Sequence, residues 1–292
     1  HVWIKEHPEY YTKNAKGEII DPINPETGKS WGWSDVADLN YDNQGLRKEM
    51  TADMLHWIKN ENIDGFRCDV ASNVPLDFWQ QAIPQLRKEK NIFMLAEAWE
   101  PELLKEGLFD MAYGWEAHHT MNRIAQGKNT VKDWDKFMAE NDIKYSSDDI
   151  LMNFVDNHDE NSWNGTIRGR LGKGEEAMTA LSYVMPGMPL IYSGNEYGLN
   201  HSLKFFEKDS IPKTKGKDWE LRAKLGKLKT EKTALNGGKN RAKYTRIKTD
   251  DDTNILAFTR EKNGKKVVYI ANFSNNPINT KVDITGEFTN YM

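Results

Sequence analysis

Ile63-Asp64-Gly65-Phe66-Arg67-Cys68-Asp69 is a short apolar run, entered through a turn-forming Asp-Gly pair and closed by a carboxylate. Its flanking turn residues and its length mark a buried strand, with Asp69 just past the end. Two later stretches repeat the arrangement. Ile92-Phe93-Met94-Leu95-Ala96 runs into Glu97, and Ile150-Leu151-Met152-Asn153-Phe154-Val155 runs into Asp156-Asn157-His158-Asp159. Acids at the carboxyl ends of three parallel strands would converge on one face of a β/α barrel. Such convergence predicts a catalytic site.

Working outward from these strands, the period turns helical. Leu46, Met50, Met54, Leu55, Trp57 and Ile58 recur at helical spacing ahead of the first strand. A helix is predicted over about 75–90, opened by Pro75 in its first turn. Next come a short strand near Met111 to Trp115, helices around 130–140 and 174–185, a strand at Pro189-Leu190-Ile191-Tyr192 and a last helix at about 217–235. This alternation implies a mainly parallel sheet. Five strands are countable, whereas a closed (β/α)8 barrel has eight, and an open one exposes strand edges. The expected fold is therefore α/β, a partial (β/α)8 TIM barrel, its early strands supplied by the rest of a longer chain.

Residues 1–40 differ in style. His7-Pro8, Asp21-Pro22, Asn24-Pro25 and Trp31-Gly32-Trp33 follow one another with little periodicity, which predicts a short irregular insertion without helix or sheet. Residues 41–236 form the later part of the barrel. Past Asn236-Gly237-Gly238 the runs 255–260 and 266–271 flank Asn263-Gly264, a hairpin signal, so residues 237–292 are assigned to a small C-terminal antiparallel β domain.

The formal charge of −4 and pI near 6.0 leave no basic bias, so neither nucleic acid nor an anionic membrane is an expected partner. No apolar stretch is long enough to span a bilayer. Cys68 is the single cysteine, which excludes an internal disulfide and a cysteine metal cluster, and its strand position points to inert packing. Ten tryptophans and eleven tyrosines suit either core packing or platforms for the C–H faces of sugars. Other motifs fail on inspection. Thr27-Gly28-Lys29-Ser30 ends like a phosphate loop but has Ile23 where the earlier glycine belongs. His118 and His119 are adjacent and lack the spacing of a helical zinc pair.

Taken in order, the strand-end segments resemble the α-amylase family of glycoside hydrolases (family 13). Gly65-Phe66-Arg67-Cys68-Asp69 is similar to its nucleophile motif, Ala96-Glu97-Ala98-Trp99 to its acid motif and Phe154-Val155-Asp156-Asn157-His158-Asp159 to its third. Ala37-Asp38-Leu39-Asn40 and the stretch from Gly187-Met188-Pro189 to Gly194-Asn195-Glu196-Tyr197-Gly198 resemble two further segments. Residues 1–40 then stand where that family has its domain-B insertion. The resemblance implies a retaining glycoside hydrolase that cleaves α-1,4-glucosidic bonds of starch-like glucans or maltooligosaccharides through a covalent glycosyl-enzyme.

On this resemblance Asp69 is the nucleophile, Glu97 the general acid/base and Asp159 the transition-state stabiliser. Arg67, His158 and Asn157 belong to the substrate-binding set, with Trp99 and Trp163 as candidates for stacking on sugar. Arg67 is expected to keep Asp69 ionised, and like-charge repulsion to keep Glu97 protonated. The chemistry requires no cofactor. Ser72-Asn73 replaces the Lys-His common after the family's nucleophile, and the family's first Asp and Asn-His motif is not found in the chain. Asp38 is thus a single candidate ligand for a structural calcium, which needs several. Two alternatives stay open: a catalytically silent carbohydrate-binding or scaffold relative, and an α-glucan transglycosylase. The compartment is not legible.

Overall fold

The computed structural model describes residues 2–24 and 27–292, so His1 and the Pro25 of the opening segment lie outside the described residues. The chain divides into two units, His1–Phe109 and Asp110–Met292.

In the first unit, α1 (Val2–Glu6) precedes an extended segment tied by the isolated bridges Tyr11↔Leu39, Lys13↔Ile19 and Ile23↔Ser30. The expectation of a segment without helix is corrected by α1. Its reason is local packing: Trp3, Ile19 and Leu39 close over buried Tyr10, Tyr11 and Leu46. Then follow α2 (Gln44–Asn60), β1 (Gly65–Cys68), α3 (Leu76–Glu89) and β2 (Phe93–Ala96). Asn43 starts α2, its side chain accepting from the N–H groups of Gly45 (2.8 Å) and Leu46 (3.1 Å). Pro75 stands at the N-cap of α3, one residue earlier than expected.

β1 and β2 pair in parallel from Gly65↔Phe93 to Cys68↔Ala96. Gly65 has φ +149°, and a Cβ built there would lie 1.8 Å from the Phe93 carbonyl oxygen. Only glycine lets the two backbones approach this closely.

The second unit carries β3 (Met111–Tyr113), α4 (Trp115–Ala125), α5 (Val131–Lys144), β4 (Leu151–Asn153), α6 (His158–Trp163), α7 (Ile167–Leu171), α8 (Glu175–Val184), β5 (Met188–Pro189) and α9 (Lys217–Glu231). β6 (Lys243–Ile247), β7 (Ile255–Lys262) and β8 (Lys265–Asn272) complete it. β3, β4 and β5 are parallel neighbours, while β6, β7 and β8 form a separate antiparallel sheet. Asn263 (φ 51°) and Gly264 (φ 70°) make the β7–β8 turn, both in the left-handed region a two-residue hairpin demands.

β5 is shorter than expected. The Leu190 N–H still reaches Asn153 O at 2.8 Å, but the Tyr192 N–H turns to the Asn195 side chain at 3.1 Å and ends the ladder. The sequence pattern does not mark α4, α6, α7 or β6. Leu256, Phe258, Tyr269 and Ala271 of the antiparallel sheet share one core with Trp134, Met178, Leu181 and Val184 of the helices. The Tyr269 hydroxyl closes that seam by donating to Ala177 O at 2.8 Å.

Candidate active site

The first unit holds one arginine between two acids. The Arg67 guanidinium donates through Nη1 to Asp69 Oδ1 and through Nη2 to Glu97 Oε1, the latter at 2.9 Å. Arg67 and Asp69 share a strand face because side chains two apart point the same way. Glu97 joins them because the register aligns the end of β2 with the end of β1.

A third donor reaches this cluster. The Val70 N–H donates to Glu97 Oε2 at 2.9 Å. Val70 stands at φ 42°, ψ 47°, a left-handed conformation unusual for a β-branched residue. The bend directs its N–H back at the acid, so local strain is held where the carboxyl is fixed. The Glu97 backbone is itself pinned, with its N–H on Cys68 O (3.0 Å) and its carbonyl accepting from Ala71 N (3.1 Å).

The two carboxyls differ in environment. Asp69 has a side chain 72% exposed, whereas that of Glu97 is 13% exposed. Burial first, and then the neighbouring Asp69 carboxyl, raises the Glu97 pKa above the ordinary carboxylate value; Val70 N–H and Arg67 act against the rise. The expected direction is met with a different leading cause, desolvation in place of charge repulsion. Burial also pushes the Cys68 thiol up to about 12, in keeping with inert packing.

The second unit holds Asp159 and His158. β4 ends at Asn153, so Asp159 lies in the first turn of α6 and not at the strand terminus. His158 Nε2 is 3.3 Å from Asp159 Oδ2, and both side chains are partly exposed. Asn157 acts as a helix cap. It is buried, and its Oδ1 accepts from Glu160 N at 2.8 Å, which starts α6.

Beneath α6 lies a buried polar network that the strand pattern did not reveal. Arg170 donates to Asp156 Oδ1 (2.7 Å), Val155 O (3.0 Å) and Asn122 Oδ1 (3.0 Å). Asn195 donates to Asp156 Oδ2 at 3.2 Å, and His118 meets Glu160 Oε2 at 3.0 Å and Phe154 O at 3.1 Å. Burial raises the Asp156 pKa while Arg170 opposes it. These groups fix the segment from Phe154 to Asp159 from below. A buried-polar signal was visible only in the Phe154-to-Asp159 motif itself, since its partners come from α4, α7 and the turn after β5.

Trp99 and Trp163 are both exposed, at 46% and 61%, so neither serves as core packing. Asp38 uses its backbone to bridge Thr12 and Ile20. Among the described residues no group of three or more His, Cys, Asp or Glu is arranged to hold a metal ion, and no helix is long and apolar enough to cross a membrane.

Parallel β/α units with acids at the ends of neighbouring strands, plus a small antiparallel sheet, define the class of barrel folds that carry chemistry on strand-end carboxylates. The family model described as Alpha amylase, catalytic domain, matches residues 31–263, and the chain belongs to that family. Its fold is a partial (β/α)8 barrel with a C-terminal β domain. Alpha-amylase MalA of Haloarcula japonica is 23% identical over 256 residues, covering 87% of this chain and 37% of the relative. Alpha-amylase 3 of Dictyoglomus thermophilum is 25% identical over 320 residues, covering 94% and 61%. The structure of a noncanonic maltogenic alpha-amylase, AmyB from Thermotoga neapolitana, matches with TM-score 0.84 and 25% identity over 99% of this chain and 65% of that one. The chain thus spans between about a third and two thirds of the length of these relatives.

Proposed function

We propose that the intact protein is a retaining glycoside hydrolase acting on α-1,4-glucosidic bonds of starch-like glucans. The observation that carries this reading is the Asp69–Arg67–Glu97 arrangement, two carboxyls of unequal burial gathered on one guanidinium. An inverting enzyme needs about 6.5–9.5 Å between its carboxyls to admit a water, and a retaining one about 5–5.5 Å. Two carboxyls that accept from the two terminal nitrogens of one guanidinium stand close together, which favours the second case.

In the first step Asp69 attacks the anomeric carbon as Glu97 gives its proton to the departing glycosidic oxygen, forming a glycosyl ester on Asp69. In the second, Glu97 takes a proton from water, whose oxygen displaces Asp69. Burial suits Glu97 to hold the proton it must donate. Arg67, bonded to both carboxyls, holds Asp69 in place for attack, and the family resemblance assigns Asp159 and His158 to gripping sugar hydroxyls. Nucleophile and proton both come from carboxyls, so the reaction calls for no cofactor.

The test is Asp69→Asn and Glu97→Gln in the intact protein. Starch turnover should fall by at least about a thousandfold with maltooligosaccharide binding retained, and NMR of the wild-type reaction should show the α-anomer released first. Retained turnover in Asp69→Asn would place the nucleophile elsewhere. Binding without turnover in the wild type would mark a silent relative, and products longer than the substrate a transglycosylase.

A further inference from the structure

Three aromatic rings stand exposed beside His158 in the second unit: Trp163 at 61%, Phe205 at 44% and Phe206 at 73%. They form one surface. Ring centroids lie 6.4 Å apart for His158–Phe205, 5.1 Å for Trp163–Phe205 and 4.9 Å for Phe205–Phe206. The His158 and Phe205 planes are inclined by only 26°. A ligand passing from one ring to the other therefore meets faces of similar orientation.

The loop that carries the phenylalanines is anchored to the helix that carries Asp159 and to the cap of the helix that follows it. Asn161 Oδ1 accepts from Leu203 N at 2.7 Å, Ser162 Oγ donates to Leu203 O at 3.0 Å, and Thr166 Oγ1 donates to Asn200 Oδ1 at 3.0 Å. Beyond it, Lys204 N donates to Asp209 Oδ2 at 3.1 Å and Lys204 Nζ to Glu207 Oε2 at 2.7 Å. The rings are presented by a hydrogen-bonded scaffold. A single exposed aromatic needs no explanation, but a contiguous cluster beside His158 does.

We infer that Phe205 and Phe206, with Trp163, form a stacking platform for a glucose unit beyond the one held at His158, and so set a preference for longer α-glucans. The inference rests on the proposed glucan-cleaving reading and adds the residues that select chain length. The occupant is a sugar because of the chemistry and size of the patch. Pyranose rings offer apolar C–H faces to aromatic planes and equatorial hydroxyls to charged rims, and Lys204, Glu207 and Asp209 border these rings with both signs of charge. Three rings fall far short of the roughly 800 Å² per partner of a stable protein interface.

The experiment compares the intact wild type with the double variant Phe205→Ser/Phe206→Ser on maltotriose and maltoheptaose. The ratio of kcat/KM for the longer over the shorter should fall about tenfold in the variant, the order expected for losing stacking of one sugar ring. Phe205→Tyr/Phe206→Tyr keeps the rings and should keep the ratio, which separates the platform from misfolding of the loop. Calorimetric titration with maltoheptaose supplies a readout independent of turnover. Binding that is lost in the serine variant, in a protein with no turnover, would remove the hydrolase reading and keep the platform. Wild-type cleavage with an unchanged length ratio in the serine variant would overturn the platform and keep the hydrolase reading. Concentration-dependent self-association abolished by the serine pair, with the length ratio intact, would assign the patch to a second copy of the chain and also overturn the proposal.

Discussion

Lys229→Met offers a test of how burial governs charge in this fold. Lys229 projects from α9, and its Nζ donates to Gly187 O at 2.7 Å and Leu235 O at 2.9 Å. No carboxylate is among these acceptors, and the nearby Arg260, fully buried, is spent on the carbonyls of Val184, Asn236 and Ala242. Burial, assisted by repulsion from Arg260, lowers the Lys229 pKa from 10.5 to about 7. The folded pKa is thus below the unfolded one. Between about 7 and 10.5 the unfolded chain holds a proton that the folded chain has released, so stability rises with pH across that window and is independent of this group below it.

The ceiling on that slope is about 1.36 kcal/mol per pH unit. Lys229 is partly exposed, and solvent screening reduces the effect, so between pH 7.5 and 9 we expect a gain of roughly 1 kcal/mol. Methionine lacks the titration and leaves two carbonyls without a donor, a loss of about 1–3 kcal/mol at any pH. In urea denaturation followed by tryptophan fluorescence, the variant should be less stable throughout, and the gap should widen from pH 7.5 to pH 9. Parallel pH profiles for the two proteins, with equal m-values, would refute the reasoning.

Three further outcomes follow from the site. Gly65→Ala drives a Cβ to within 1.8 Å of the Phe93 carbonyl, so β1 and β2 must part and starch-cleaving activity should fall at least tenfold, with a lowered melting temperature; an unaffected enzyme would mean the strands are not set by this contact. Arg67→Met removes a cation that lowers the Glu97 pKa, so the alkaline limb of the kcat/KM profile should move to higher pH as kcat falls. A limb shifted to lower pH would exclude Glu97 as the acid. Arg170→Met strands the buried Asp156 carboxylate and should cost about 3–5 kcal/mol, read as a lowered unfolding midpoint; Arg170→Met with Asp156→Asn should recover part of it.

Local features can be read along the chain. Apolar runs closed by acids marked β1, β2 and β4, since a strand's burial is written in consecutive residues. Arg67 and Asp69 could be placed on one face by counting two along a strand, and Asn263-Gly264 announced its hairpin because few residues accept two successive positive φ angles. Features that depend on distant partners emerge only with packing. Asn157 proved a buried cap because α6 begins at His158, and strand patterning does not specify where a helix starts. The same short-range reading stopped β5 too late, as the Asn195 side chain that captures the Tyr192 N–H lies outside the strand pattern. Arg170, 14 positions from Asp156, and Asn195, 39 positions away, have no periodicity that ties them to it. Burial of Glu97 belongs to this second kind: desolvation is a property of the packed surroundings, so the leading cause of its raised pKa exists only once the fold has closed around it.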